Sequence, residues 1–150
     1  MRVLGLRSYR NELSWAVVDG NSRATAVLVA HHLDSAPAGT RGEVLRWVRN
    51  EVTGLMNDHA PDAVVLCLAE GQQLTNATVE RAQVDGIILE VTHSLGVAAI
   101  GKKSATIRSN FGANTKAALN AALGELAVTS DIPPTAKRRE PTVAALSEIP

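Results

Sequence analysis

Val3-Leu4-Gly5-Leu6 is a short apolar run, Ser8 to Glu12 is polar, and Leu13 to Val18 is apolar again. Two such runs around a polar turn predict a β-hairpin. Gly20-Asn21-Ser22 is a turn cluster, and the β-favouring run from Ala24 to His32 adds a third strand, closing an antiparallel meander. From Thr40 or Arg41 the period changes. Val44, Leu45, Trp47, Val48, Val52, Leu55 and Met56 keep helical spacing until His59-Ala60-Pro61 stops the helix. Ala63 to Leu68 is continuously apolar, as expected of a strand buried on both faces.

Beyond the loop Glu70-Gly71-Gln72-Gln73, Thr75 or Asn76 caps a long helix running to about Leu95. Val79, Ala82, Gln83, Gly86, Ile87, Val91 and Leu95 form one broad stripe, widened by Val84, Ile88 and Leu89. This is more apolar surface than one buried face needs, so Val84, Gly86, Ile87 and Val91 are candidates for contact with a partner. Val97 to Ile100 reads as a short strand, Ser104 to Ser109 as a short helix, and Asn114 as the cap of a helix from Thr115 to Leu126. From Thr129 the composition turns to Pro, Lys, Arg and Glu, which divides the chain into a domain over 1–128 and a tail over 129–150. That tail is loosely ordered or ends in one short helix near Pro141 to Glu148.

Composition narrows the chemistry. The chain of 150 residues is 45% hydrophobic but only 3% aromatic, so Val, Leu, Ile and Ala must fill the core. A platform of stacked aromatics for single-stranded bases is disfavoured. Residues 1–50 hold seven Lys/Arg against four Asp/Glu, 51–100 one against seven, and 101–150 seven against four. The two end thirds can therefore build a basic face although the net charge is zero. The single cysteine, Cys67, excludes a disulfide framework within one chain. The absence of a signal-peptide core and of an 18-residue apolar run points to a cytoplasmic protein with no membrane partner.

Two local patterns fail on inspection. His31 and His32 adjoin Asp34, but neighbours on a strand face opposite ways and do not readily share an ion. Gly96-x4-Gly101-Lys102 approaches a Walker A loop. However, Lys103 replaces the magnesium-binding Ser or Thr, and Val97 to Ile100 belongs in a strand.

The order of elements resembles the RuvC-like branch of the ribonuclease H-like superfamily over about residues 1–126. Leu4-Gly5-Leu6 is similar to the strand before that family's first catalytic carboxylate, and Pro61-Asp62 with its apolar strand to the approach to the second. Ala82-Gln83-Val84-Asp85-Gly86 resembles the helical run that helps resolvases dimerise. Ala105-Thr106-Ile107-Arg108, Gly112 and Lys116 resemble the run that lies near DNA. The resemblance implies a mixed five-stranded sheet, a three-strand antiparallel meander plus two parallel strands, flanked by helices. It also implies a reaction on DNA or RNA that uses Mg or Mn.

The expected carboxylate positions are occupied by Arg7, Cys67, Pro141 and Ala144, and a guanidinium at the centre repels the cations the reaction needs. The expectation is a pseudonuclease without catalytic residues, cofactor or metal. It binds nucleic acid or an anion through Arg7, Arg10, Lys102, Lys103, Arg108 and Lys116, or a protein through the helix of residues 76–95, and is expected to form a homodimer; a structural or assembly subunit that homodimerises through the helix around Gly86 and takes no ligand is a further reading. A structural salt bridge of Arg7 with Glu12 or Glu70 is the plainer reading of that residue. A nuclease with a relocated acidic site using Asp19, Glu70, Glu140 and Glu148 is the enzymatic alternative.

Overall fold

The computed structural model describes residues 1–70 and 74–150, so the loop expected around Glu70 to Gln73 lies largely outside the described residues. Strand β1 (Arg2–Ser8) turns back into β2 (Glu12–Asp19), and the turn is closed by the Tyr9 amide donating to the Glu12 carbonyl at 2.9 Å. Strand β3 (Val27–Ser35) continues the antiparallel meander, with a register shift in β2 between Val17 and Val18. It begins three residues later than the sequence predicts because Arg23–Thr25 forms a 3-10 turn. Arg23 there donates to the carbonyls of Leu146 and Ile149, tying the chain's end to the β2–β3 connection.

Helix α1 (Arg41–His59) starts at a reciprocal cap between Thr40 and Glu43 and ends at Ala60, whose φ of 43° is left-handed. Strand β4 (Ala63–Cys67) then enters parallel to β1, helix α2 (Asn76–Ser94) crosses back from its Thr75 cap, and β5 (Ala99–Lys102) lies parallel to β4. Pairing with β4 carries Gly101 and Lys102 into this last strand, two residues beyond the expected end at Ile100. The sheet order is β3-β2-β1-β4-β5. Helices α3 (Ser104–Asn110), α4 (Lys116–Gly124) and α5 (Ala136–Leu146) complete the chain, with Thr115 rather than Asn114 capping α4.

Strand residues alternate between two cores, as a period of two requires. Leu4, Leu6, Val17, Val64 and Leu66 meet α1 and α2 through Val48, Val52, Val84 and Ile88. Val3, Val18, Val65 and Cys67 point the other way, to Ile107, Leu123, Val143 and Leu146. Residues 129–150 are therefore more than a tail: Pro141 to Ser147 and Ile149 are buried, and α5 begins at Ala136, five residues before the expected start. Gly5 explains how it fits. A Cβ there would lie 1.9 Å from the Pro141 carbonyl oxygen, so α5 can cross β1 this closely only over a residue with no side chain.

Candidate functional site

The parallel register of β1, β4 and β5 sets Arg7, Cys67 and Lys102 side by side at the carboxyl ends of three neighbouring strands. That edge is where open α/β sheets ordinarily receive ligands. Over it sit α3, α4 and α5, enclosing a cavity of about 350 Å³ whose floor is Arg7 and Cys67 and whose walls carry Arg108, Lys116, Arg139 and Glu140. Ile107, Leu119 and Val143 give the same cavity an apolar flank. Helices α4 and α5 have no acidic residue in their first turn, so their positive ends add to the field of the four cations, whereas the first amide of α3 is taken by the Glu70 carboxylate.

The guanidinium of Arg7 forms an ion pair with Glu140 and lies 5.5 Å from the centre of the Tyr9 ring. The plainer sequence reading of Arg7 thus has the right kind of interaction with the wrong partners. Glu12 instead pairs with Lys137 at 2.5 Å, and Glu70 accepts from the Ser104 amide at 2.5 Å. The partner of Arg7 comes from α5, far away in sequence, brought in by the close crossing at Gly5. Beside the pair, the Cys67 thiol donates to the Glu140 carbonyl at 3.8 Å, and burial pushes its pKa up to about 12. It stays protonated at neutral pH, a poor metal ligand and a poor nucleophile.

Of the six expected anion-binding residues, the structure brings Arg7, Arg108 and Lys116 together at the cavity. Lys102 is instead buried, held by Glu148 at 2.6 Å and the Ser147 hydroxyl at 3.1 Å. Arg10 pairs with Glu80 at 2.6 Å, and Lys103 is exposed at the start of α3; neither lines the cavity. Arg139 escapes the sequence reading because it lies in the Lys-Arg-Arg-Glu run, which in sequence looks like a solvated tail. In the structure it lines the cavity and donates to Asn120 at 2.8 Å.

The partner-helix residues separate in the same way. Val84 and Val91 face the core of the chain itself, Ile87 is half-buried against it, and Gly86 is exposed, with nothing within 4 Å of the place a Cβ would take. The strip of α2 open to solvent is therefore the one through Val79, Gly86 and Leu89, set by the helical phase of Val84 and Ile88 on the sheet.

Asp85 is the functional-looking residue least visible in the sequence. It is buried in α2 at the end of β1, accepting from the Ser8 hydroxyl and from the Ala69 amide at 3.0 Å. Burial raises its pKa more than these bonds lower it. Arg81, one turn earlier, donates to the Cys67 carbonyl at 3.0 Å, and burial lowers its pKa. An acid inside an apolar helical stripe is the signal that marks such a site, since it is rarely buried without partners.

The donor chemistry does not suit a divalent metal. Arg7 and a protonated thiol stand at the strand ends, and Pro141 and Ala144 are buried against the sheet. The acids of the enzymatic alternative are dispersed: Asp19 pairs with Arg2 at 2.9 Å, Glu140 with Arg7 and Glu148 with Lys102, while Glu70 caps Ser104. Among the described residues no group of three or more His, Cys, Asp or Glu is placed to hold an ion. His32 turns its Nδ1 to Asp34 at 2.7 Å.

No protein-family model and no curated protein matches the chain by sequence. Solved structures do match by shape. The RuvC structure of Thermus thermophilus superposes with a TM-score of 0.82 at 16% identity, over 98% of this chain and 92% of that one. The fold is RuvC-like. T. thermophilus RuvC in complex with a Holliday junction substrate gives a TM-score of 0.80 at 16% identity, over 98% of this chain and 91% of that one. The yeast mitochondrial Holliday junction resolvase Ydc2 gives 0.65 at 8% identity, covering 97% and 77%. The RuvC-like sheet is thus the mixed five-stranded arrangement expected from the order of elements. Among the described residues no helix is long and apolar enough to cross a membrane.

Proposed function

We propose that this RuvC-like domain binds nucleic acid at the carboxyl end of its sheet and does not cut it. The observation that carries the reading is the exchange of charge at that end. Where the resemblance expects carboxylates around metal, Arg7 stands on the central strand, and Arg108, Lys116 and Arg139 converge on the same cavity. Phosphate is the anion that such a cluster of guanidinium and ammonium groups suits, and Arg offers it bidentate bonds. RuvC-like neighbours that include a resolvase bound to a Holliday junction support the choice of nucleic acid as the source of that phosphate.

The competing reading, metal-dependent cleavage from Asp19, Glu70, Glu140 and Glu148, has each acid already engaged by a cation or an amide. The binding reading is tested by fluorescence anisotropy with labelled duplex and four-way DNA over a range of salt. Each phosphate that the cluster neutralises contributes about −0.9 to the slope of log affinity against log salt, so binding there weakens as salt rises. Lys116→Glu and Arg108→Glu each weaken binding and make that slope shallower by about 1. Affinity that ignores salt, or variants indistinguishable from the parent, would refute it.

A further inference from the structure

The cavity has a shape as well as a charge. Its floor is the end of β1 and β4, its walls are three separate helices, and its volume of about 350 Å³ lies in the range of sites that enclose a small ligand. Arg7 already has Glu140, and Arg139 has Asn120, but Arg108 and Lys116 have no carboxylate within ion-pair distance among the described residues. Four cations against one carboxylate leave a net positive site. A phosphomonoester carries about −1.5 to −2 at neutral pH, more than the single charge of a diester.

We propose that this cavity seats a terminal phosphomonoester, either the phosphorylated end of a nucleic-acid strand or a free nucleotide. Arg7, Arg108, Lys116 and Arg139 hold the phosphate, while Ile107 and Leu119 receive the sugar and base. Among the described residues no aromatic ring lines the cavity, so the seat reads the phosphate and tolerates any base. The inference rests on the nucleic-acid reading only for the strand end as a source.

The test uses the full chain and a labelled single-stranded oligonucleotide bearing a 5′-phosphate, a 3′-phosphate or hydroxyl ends alone. Adenosine monophosphate and adenosine serve as competitors. One phosphorylated end binds at least about tenfold tighter than the hydroxyl end, and the monophosphate competes where adenosine does not. Lys116→Glu, on an exposed wall of the cavity, abolishes that preference; Lys103→Glu, exposed but off the cavity, keeps it. Equal affinity for phosphorylated and hydroxyl ends overturns the inference and leaves nucleic-acid binding standing. Monophosphate binding without oligonucleotide binding sustains the phosphomonoester seat and removes the nucleic-acid reading. Binding of neither removes both.

Discussion

The two faces of the sheet are covered by different means, and the difference decides where chemistry is placed. One face is closed by α1 and α2, each a regular helix of 19 residues laying a repeating apolar stripe on Leu4, Leu6, Val64 and Leu66. The other is closed by three shorter helices and a second 3-10 turn, Ala127–Asp131, with a proline inside the helix that crosses the centre. Long helices leave a sealed core. The shorter ones leave their ends, and the cations near those ends, gathered over the strand termini.

The largest effect separating the faces is expected at glycine. On the side of α5, Gly5→Ala drives a Cβ to within 1.9 Å of a backbone carbonyl that cannot swing away, so the helix must move or the chain must unfold. A loss of about 4 kcal/mol or more is expected in urea denaturation, in the class of severe core overpacking. On the other face, Gly86→Ala in α2 meets nothing within 4 Å and is expected to stabilise by about 0.5–1 kcal/mol. Similar effects at the two glycines would erase the contrast.

The ion pair over the sheet end gives a smaller effect. Arg7 is 18% exposed and Glu140 38%, so their coupling lies between that of surface and buried pairs. A cycle of Arg7→Gln, Glu140→Gln and the double variant should show about 1–2 kcal/mol of coupling. Glu140→Gln also frees Arg7 and is expected to tighten nucleic-acid binding; weaker binding would place Glu140 itself among the contacts.

The smallest effect belongs to Asp85, on the α2 side. Burial raises its folded pKa above the ordinary 3.8, so the native chain holds that proton more tightly than the unfolded chain. Stability from this group therefore falls as pH rises from 3.8 through the raised value, and the cost is complete above it. Asp85→Asn removes the charge change. Its urea midpoint should lose less between about pH 4 and pH 7 than the parent's does. An identical pH profile would mean that the folded carboxyl titrates at its ordinary value.

These contrasts also explain what the sequence made legible. The meander, α1 and β4 announce themselves, because Leu4-Gly5-Leu6, the stripe from Val44 to Met56 and the run Ala63 to Cys67 each repeat one local period. Helix α5 does not. Lys137-Arg138-Arg139-Glu140-Pro141 looks like a charged tail broken by proline, and the burial of Val143 to Leu146 depends on a gap at Gly5 that no local pattern reveals. The site divides along the same line. Arg7, Arg108 and Lys116 follow from the order of motifs, whereas Arg139 and the Arg7–Glu140 pair arise only from the long-range crossing of α5 over β1. Lys102 misleads for the same reason: it sits at the expected strand end, but the chain's own Glu148 and Ser147 already occupy it.

The central claim is that charge at the sheet end serves binding without cutting. It is tested most directly by incubating the protein with labelled four-way, duplex and single-stranded DNA in manganese and reading retardation and cutting on the same samples. The expected result is retarded, intact DNA whose retardation is lost in Lys116→Glu. Manganese-dependent cutting that disappears in Glu140→Gln would contradict it.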